Sequence, residues 1–415
     1  MKIRALKGFK DILPGEVELW QHIETVTRDI FNRHHFNEIR LPVLEQTDLF
    51  KRSIGEDTDI VEKEMYTFVD KGVTMRPEAT ASLIRAYNEH SLNLIKPVQK
   101  LFTIGPMFRH ERPQKGRLRQ FHQMDIEVIG SESPMVDAEL MAMAAMVFDE
   151  LGINVQLELN SLGCPECRPA YRQELIEFIE ARLENLCDDC KRRSKTNPLR
   201  VLDCKNKDCR AEVESAPSIP EHLCGECDTH FATVRSTLEG FAVDFKLNKF
   251  MVRGLDYYCR TTFEFITGDL GAQAAVCAGG RYDGLVEKLG GPKGTPGIGF
   301  AMGMERLVLL LQQQERDFSG EQIDLFVIGL GEEPTSLGCK LTRELRKRGV
   351  SAGMDYEGRS LKAQMKQANK ANASYTLIIG ENELEAGKAS LKNMNFQEQL
   401  EVELSAGAIA DKISE

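Results

Sequence analysis

The chain has 415 residues, of which 42% are hydrophobic and 28% are charged, and its formal net charge is −11. This composition excludes a disordered or fibrous chain, and the length predicts about two to three domains. Because no run approaches the roughly 18 uninterrupted apolar residues of a membrane span, and the N-terminal segment lacks the apolar core of a signal peptide, we expect a cytoplasmic protein.

Residues 1–160 alternate helical and strand-like patterns without a long polar linker, which predicts the first part of a mixed α/β core. Ser133 is placed to cap a helix that begins at Pro134, runs through apolar residues to Leu151 and stops at Gly152. Residues 248–318 are expected to continue the core. Their strand pattern puts four residues on one face: Thr261, Phe263, Phe265 and Thr267.

Residues 98–130 predict a long hairpin, in which two strands flank a polar loop rich in arginine. Alternate residues of the second strand share one face: Phe121, Gln123, Asp125 and Glu127. The side chains of Gln123 and Glu127 suit a cationic or amine-bearing ligand, whereas Arg109 can hold a phosphate or carboxylate. One site could bind both charges. The alternative is a solvated hairpin with weak surface ion pairs.

Five runs of sequence carry a resemblance to a known family. Residues 108–123, FRHERPQKGRLRQFHQ, resemble motif 2 of the class II aminoacyl-tRNA synthetases in its histidyl form. Residues 39–45 are similar to motif 1, with its proline at Pro42, and residues 297–310 are similar to motif 3. Residues 252–265 and 278–291 resemble the two signature runs peculiar to histidyl-tRNA synthetases of the bacterial type.

The resemblance implies an α/β fold, with an antiparallel sheet core, a mainly helical insertion and a small α/β anticodon-binding domain. It also implies the family's reaction. Members activate L-histidine with ATP to histidyl-adenylate, release pyrophosphate, and transfer histidine to the 3′ end of the histidine-specific tRNA. They work as homodimers, with motif 1 at the interface. Since no P-loop pattern occurs, the nucleotide is expected to be held mainly by arginines and Mg²⁺.

The same resemblance implies roles for individual side chains. The catalytic residues it implies are Arg253, Arg109 and Arg306. The histidine-binding residues it implies are Glu78, Thr80, Gln123, Glu127, Tyr257, Tyr258 and Tyr282. The ATP-binding residues it implies are Arg109, Glu111, Arg117, Phe121 and Arg306. Two departures from the family pattern, Ala79 and Cys259, remove no charged group from these sets.

Residues 161–247 form an expected insertion that contains eight of the 11 cysteines. Thiols stay reduced in the cytosol, so disulfides are not expected. Two C-x2-C pairs have zinc-ribbon spacing and predict a structural zinc site of four ligands: Cys164, Cys167, Cys187 and Cys190. A second quartet would combine Cys224 and Cys227 with Cys204 and Cys209. The family resemblance does not by itself imply a metal here, and the sequence leaves the pairing open. Reduced, partly buried thiols are the alternative.

Residues 322–415 follow a polar linker and resemble the anticodon-binding domain of several class II synthetases. Because the net charge is acidic, tRNA would have to be bound by local basic patches. Candidate patches are the run 191–193 and a helical stripe of lysines: Lys362, Lys366 and Lys370. In both cases the alternative is a solvated surface.

Two other functional classes account for part of the sequence. One is a regulatory paralogue that binds histidine and partners a short ATP phosphoribosyltransferase. Such paralogues typically lose the anticodon-binding domain and the motif arginines, whereas this chain keeps both. The other is a zinc-dependent RNA-binding module without catalysis, which leaves the signature runs unexplained.

Overall fold

The computed structural model describes residues 3–56, 58–114, 116–204, 206–252, 255, 257–273, 275–314, 322–396 and 398–414. The chain divides into two compact units, Met1–Phe318 and Ser319–Glu415. Within the part that the structure describes, no helix combines the length and apolar character needed to cross a membrane.

The first unit is built around a large sheet. Its strands in chain order are β1 (Asn37–Glu38), β2 (Leu44–Gln46), β3 (Tyr66–Phe68), β4 (Val73–Met75), β5 (Gln99–Phe108), β6 (Gln120–Ile129), β7 (Gln156–Ser161), β8 (Phe245–Leu247), β9 (Cys259–Ile266), β10 (Ala275–Arg281) and β11 (Gly297–Gly303). Eight of them form one sheet in the order β1-β5-β6-β11-β10-β9-β7-β8. The two edge pairs are parallel and the inner pairs are antiparallel. Strands β2, β4 and β3 form a smaller sheet.

The helices of the first unit are α1 (Val17–Arg33), α2 (Thr47–Ile54), α3 (Thr80–Glu89), α4 (Leu92–Ile95), α5 (Pro134–Leu151), α6 (Arg168–Glu180), α7 (Asp188–Thr196), α8 (Lys207–Val213), α9 (Gly225–Gly240), α10 (Leu285–Lys288) and α11 (Met304–Gln312). The bounds predicted for α5 are confirmed, and Gly152 ends it in the left-handed region with φ of 67°. Helices α6 to α8 make the cysteine-rich segment mainly helical, as predicted.

The predicted hairpin is confirmed: β5 and β6 pair antiparallel over their whole lengths. Alternation along β6 separates two environments, because successive side chains of a strand point to opposite faces. Met124, Ile126 and Val128 are buried in the main apolar core, which also takes in side chains of α1, α5, α9 and α11. The residues that alternate with them along β6 point to the opposite face of the sheet. This alternation is what leaves one face of the sheet available for a polar site.

The second unit contains a mixed five-stranded sheet in the order β13-β12-β14-β15-β16. Its strands are β12 (Leu325–Gly329), β13 (Ala352–Met354), β14 (Tyr375–Ile379), β15 (Lys388–Asn393) and β16 (Gln399–Glu403). Its helices are α12 (Glu332–Lys347), α13 (Leu361–Lys370), α14 (Glu381–Ala386) and α15 (Ala406–Ser414). The predicted small α/β domain is therefore present. The three lysines predicted to form a stripe lie on α13 and are exposed.

Candidate active site

A cavity of about 850 Å³ opens over the polar face of the large sheet. With the exception of Arg253, which lies outside the described residues, every side chain that the family resemblance assigns to histidine, ATP or catalysis lines it. The members are Glu78, Thr80, Arg109, Glu111, Arg117, Phe121, Gln123, Glu127, Tyr257, Tyr258, Tyr282 and Arg306. Residues that are more than 200 positions apart in sequence are thus brought to one site.

One end of the cavity is acidic and aromatic. Glu127 is 1% exposed and accepts two short hydrogen bonds, from the hydroxyl of Thr80 at 2.6 Å and from the hydroxyl of Tyr282 at 2.5 Å. The ring of Tyr257 lies 5.9 Å from that of Tyr282 and 4.7 Å from that of Tyr258, measured between centroids. These rings form the apolar walls of a pocket whose floor is a carboxylate.

Close packing of the neighbouring strand holds Glu127 in place. Gly299 on β11 lies opposite Glu127 on β6. A Cβ at position 299 would lie 1.7 Å from a carboxylate oxygen of Glu127. Only glycine therefore leaves space for this side chain, which explains one of the glycines in the motif 3 run.

Burial raises the pKa of both carboxyl groups on this face of β6, to about 8 for Asp125 and about 8 for Glu127. The neighbouring Glu78 raises both values further, since like charges disfavour ionisation. Glu78 accepts hydrogen bonds from the backbone N–H of Ala81 at 3.1 Å and 3.3 Å, and burial raises its own pKa. Three acidic groups therefore crowd one end of the cavity, and the charges of Arg76 and Arg109 lower the pKa of Asp125 by less than burial and Glu78 raise it.

Two acceptors in this end remain unused. Among the described residues, Gln123 Oε1 and Asp125 Oδ2 are buried without a hydrogen-bond partner. A buried polar atom without a partner costs about 1–3 kcal/mol, so such atoms are usually satisfied by a ligand or water. The sequence pattern places Asp125 on the polar face of β6, although the resemblance does not assign it to a ligand. The alternation of polar and apolar residues along β6 is the sequence feature that could have identified it.

The other end of the cavity is cationic. Arg109 donates from Nε to the carbonyl of Pro77 at 2.8 Å, and its guanidinium lies 5.3 Å from the ring centre of Phe121. Arg117 forms an ion pair with Glu111, and Arg306 donates to the carbonyl of Ala275. These contacts orient the guanidinium groups.

The arginines also repel one another. Burial lowers the pKa of Arg306, and the charges of Arg117 and Arg109 lower it further. The pKa of Arg117 is lowered by burial and by Arg109. A cluster of like charges inside a cavity favours a polyanionic ligand, because binding relieves their repulsion. Phosphate groups have this chemistry.

Two further side chains belong to the cationic end and were missed from the sequence. Glu305 accepts from the backbone N–H of His122 at 2.9 Å and so ties α11 to β6. Glu264 on β9 lines the cavity and interacts electrostatically with Arg306. Neither position follows from a pattern within a single element, since Glu264 depends on how the strands pair and Glu305 on how α11 packs against β6.

The predicted zinc quartet is wrong in its pairing. Two separate groups of four cysteines have their sulfur atoms within 4.8 Å of one another, Cys164, Cys167, Cys224 and Cys227 in one group and Cys187, Cys190, Cys204 and Cys209 in the other. Cys164 and Cys167 precede α6, whereas Cys187 and Cys190 follow it. That helix has 13 residues and so spans about 20 Å.

A mostly antiparallel sheet, with motif 2 residues in its hairpin and a cavity that separates acidic from cationic side chains, defines a class II aminoacyl-tRNA synthetase. The family model for histidyl-tRNA synthetase matches residues 8–307, and the model for the anticodon binding domain matches residues 324–415. The chain belongs to the histidyl-tRNA synthetase family.

Relatives and solved structures agree with this assignment. A protein of Desulfotalea psychrophila named histidine–tRNA ligase is 75% identical over 409 residues, which cover 99% of this chain and 95% of the relative. The apo histidyl-tRNA synthetase of S. aureus is 36% identical, with a TM-score of 0.84 and full coverage of both chains. A Bacillus halodurans C protein described as an ATP phosphoribosyltransferase regulatory subunit/histidyl-tRNA synthetase shares the fold at 19% identity, with a TM-score of 0.66 over 92% of this chain and 99% of that one.

Proposed function

We infer that the protein is a histidine–tRNA ligase, which uses ATP to activate L-histidine and transfers it to tRNA. The observation that carries this inference is the division of one cavity into an acidic, aromatic end and an arginine-rich end. Histidine brings an ammonium and an imidazole, whereas ATP brings phosphates. The family membership and the full-length likeness to a named ligase support the same conclusion.

We propose that the acidic end binds histidine. In this proposal Glu78, Gln123 and Thr80 contact the α-ammonium group, and the unused acceptor on Asp125 adds to this set. Glu127 and the three tyrosines surround the imidazole, where hydroxyl and carboxylate groups can satisfy both ring nitrogens. A site that pairs buried polar groups with its substrate rejects analogues that leave those groups unpaired.

We propose that the arginine end binds ATP, with Phe121 beside the nucleotide and Arg109, Arg117 and Arg306 near the phosphates. The histidine carboxylate attacks the α-phosphorus in line, pyrophosphate leaves, and histidyl-adenylate remains. Arg109, Arg306 and Arg253 stabilise the charge that grows on the phosphate oxygens. A hydroxyl of the terminal adenosine of tRNA then attacks the activated carbonyl.

Mg²⁺ is the divalent ion proposed for the phosphates. When bound, it supplies charge neutralisation on the phosphate oxygens. The carboxylate of Glu264 fits a hard, oxygen-seeking ion and lies on the cationic side of the cavity. Structural Zn²⁺ is proposed for the cysteine-rich region, where two groups of four thiols are assembled.

We propose that the tRNA is bound in part by the exposed lysines of α13, in the unit that matches the anticodon-binding model. The basic run of α7 is less available, because Arg193 and Arg192 lie within ion-pair distance of Asp59 and Glu62. We also propose a cytoplasmic homodimer. Its interface would include exposed apolar side chains on the small sheet near motif 1, such as Leu44 and Phe68.

Two assays test the proposed function. Histidine-dependent exchange of labelled pyrophosphate into ATP measures adenylate formation, and attachment of labelled histidine to tRNA measures transfer. We expect both with histidine and neither with the other amino acids. A folded protein that binds histidine but supports no exchange would contradict ligase activity and favour the regulatory class.

A further inference from the structure

We propose that residues 161–247 hold two structural zinc ions rather than one, each bound by four thiolates. The first zinc centre consists of Cys164, Cys167, Cys224 and Cys227, and the second zinc centre consists of Cys187, Cys190, Cys204 and Cys209. This proposal extends the structural zinc of the proposed function. It rests on cysteine geometry and is tested without any charging of tRNA.

The sulfur spacing fits one tetrahedral ion in each group. With a zinc–sulfur bond of about 2.3 Å, tetrahedral geometry separates neighbouring sulfurs by about 3.8 Å. In the first centre, the sulfur of Cys164 lies 3.6 Å from that of Cys167 and 3.8 Å from that of Cys224. In the second centre, the sulfurs of Cys187 and Cys204 lie 3.9 Å apart. The fold assembles both tetrahedra from segments distant in sequence.

Other cysteine chemistries fit less well. A disulfide requires sulfurs about 2.05 Å apart, and all three of these separations are much longer. In a four-iron cluster each thiolate binds a different iron, which holds the sulfurs further apart than the 4.8 Å limit within which each group lies. Four soft sulfur ligands in tetrahedral array select zinc or a thiolate-bound iron. As the thiols bind zinc, they release protons to solvent.

Both groups also carry the same supporting hydrogen bond. The backbone N–H of Cys224 donates to the sulfur of Cys167 at 3.1 Å, and the backbone N–H of Cys187 donates to the sulfur of Cys209 at 3.2 Å. A donor aimed at sulfur stabilises the thiolate form that a metal requires and fixes its direction. Each centre thus has its four thiol ligands together and a backbone N–H that donates to one of the sulfurs.

The first zinc centre lies where the insertion leaves and rejoins the core. Cys164 and Cys167 follow β7, while Cys224 and Cys227 begin α9, whose apolar side packs into the main core. Residues next to this centre are hydrogen-bonded to the segment that carries Tyr258. Arg168 donates to the carbonyl of Tyr258, and the N–H of Arg260 donates to the carbonyl of Gly163 at 2.8 Å. This centre is therefore placed to position Tyr258.

The second zinc centre lies inside the insertion and joins α7 to α8. The segment that carries Cys204 also carries Leu202 and Asp203, and all three line the large cavity together with Arg210 of α8. This centre is therefore placed to hold the wall that faces the sheet. The two centres support different sides of one cavity.

The test measures metal in the full chain, purified without added metal or chelator. Elemental analysis should find two zinc ions per chain. A thiol-specific mercurial should release both ions as eight thiols react, with release followed by a chromophoric chelator. This measurement needs only the wild-type protein, so it stays decisive even if variants fold poorly. Absence of zinc, with the cysteines titrating as free thiols or recovered as disulfides, would overturn the proposal, and so would bound iron.

Paired variants assign the ions. Cys164→Ser with Cys224→Ser should leave one zinc ion, and Cys187→Ser with Cys204→Ser should also leave one. Cys339→Ser is the matched control, because Cys339 is an exposed cysteine of the second unit, and it should keep two. Loss of all zinc from each double variant would overturn the separate centres.

Cobalt substitution gives a spectroscopic readout. Each double variant should retain half of the wild-type cobalt–thiolate absorbance, with the bands of tetrahedral coordination. Loss of the first centre should raise KM for histidine several-fold more than loss of the second, because the first is bonded to the Tyr258 segment. An equal rise would overturn the link between the first centre and Tyr258.

Discussion

The two ends of the active-site cavity handle charge in opposite ways. At the acidic end, burial and the nearby charge of Glu78 raise the pKa values of Asp125 and Glu127 to about 8, which disfavours their ionised forms. At the cationic end the guanidinium groups keep their charge, because an arginine remains protonated even when its pKa is lowered. A ligand with a cation at one end and phosphates at the other would complement both the acidic groups and the arginines. The contrast predicts that substitutions at each end affect different substrates.

Arg109→Ala should have the largest effect. Loss of one charged contact to the transition state typically lowers the rate by about 10² to 10³, so pyrophosphate exchange should fall by this factor. Histidine affinity should change little. Arg33→Ala, at an exposed arginine of α1, is the control. Equal loss of ATP and histidine binding in the variant would remove the distinction between the two ends.

Glu127→Gln should mainly affect histidine. A hydrogen bond to a charged group contributes roughly 1.5–3 kcal/mol, so KM for histidine should rise about 10- to 100-fold while KM for ATP stays nearly constant. Steady-state exchange kinetics measure both constants. Glu24→Gln on the exposed side of α1 is the matched control. A rise confined to KM for ATP would contradict the assignment of histidine to the acidic end of the cavity.

Tyr282→Phe removes one hydroxyl from the same carboxylate and should have a smaller effect. Since Tyr282 donates to Glu127 at 2.5 Å, its loss should raise KM for histidine roughly 5- to 20-fold. Tyr87→Phe, another buried tyrosine, is the control and should keep wild-type kinetics. Unchanged kinetics in Tyr282→Phe would show that this hydroxyl is not needed to orient Glu127.

Asp125→Asn should stabilise the ligand-free protein as the pH rises. The folded pKa is raised from 3.8 to about 8, so stability from this group is fully present below about pH 4 and is lost progressively up to about pH 8. Asparagine carries no such penalty. The variant's gain should grow across that window and level off above it, on the order of a few kcal/mol. Denaturant unfolding at several pH values measures it, and a gain that is largest at pH 4 would contradict the shift.

The separation of the two ends could largely be anticipated from the sequence. Period-two alternation predicted the polar face of β6, and the motif resemblance implied the partners that line the cavity. Two features could not be anticipated. The space for Glu127 depends on Gly299 from a strand far along the chain. The cysteine pairing depends on α6, which separates Cys167 from Cys187 while other helices bring distant cysteines together.

The most direct test of the divided cavity is an experimental structure with a non-hydrolysable analogue of histidyl-adenylate. We expect the imidazole beside Glu127 and the three tyrosines, the ammonium near Gln123 and Asp125, and the phosphate mimic against Arg109 and Arg306. An analogue bound in the reverse direction, or outside this cavity, would contradict the account.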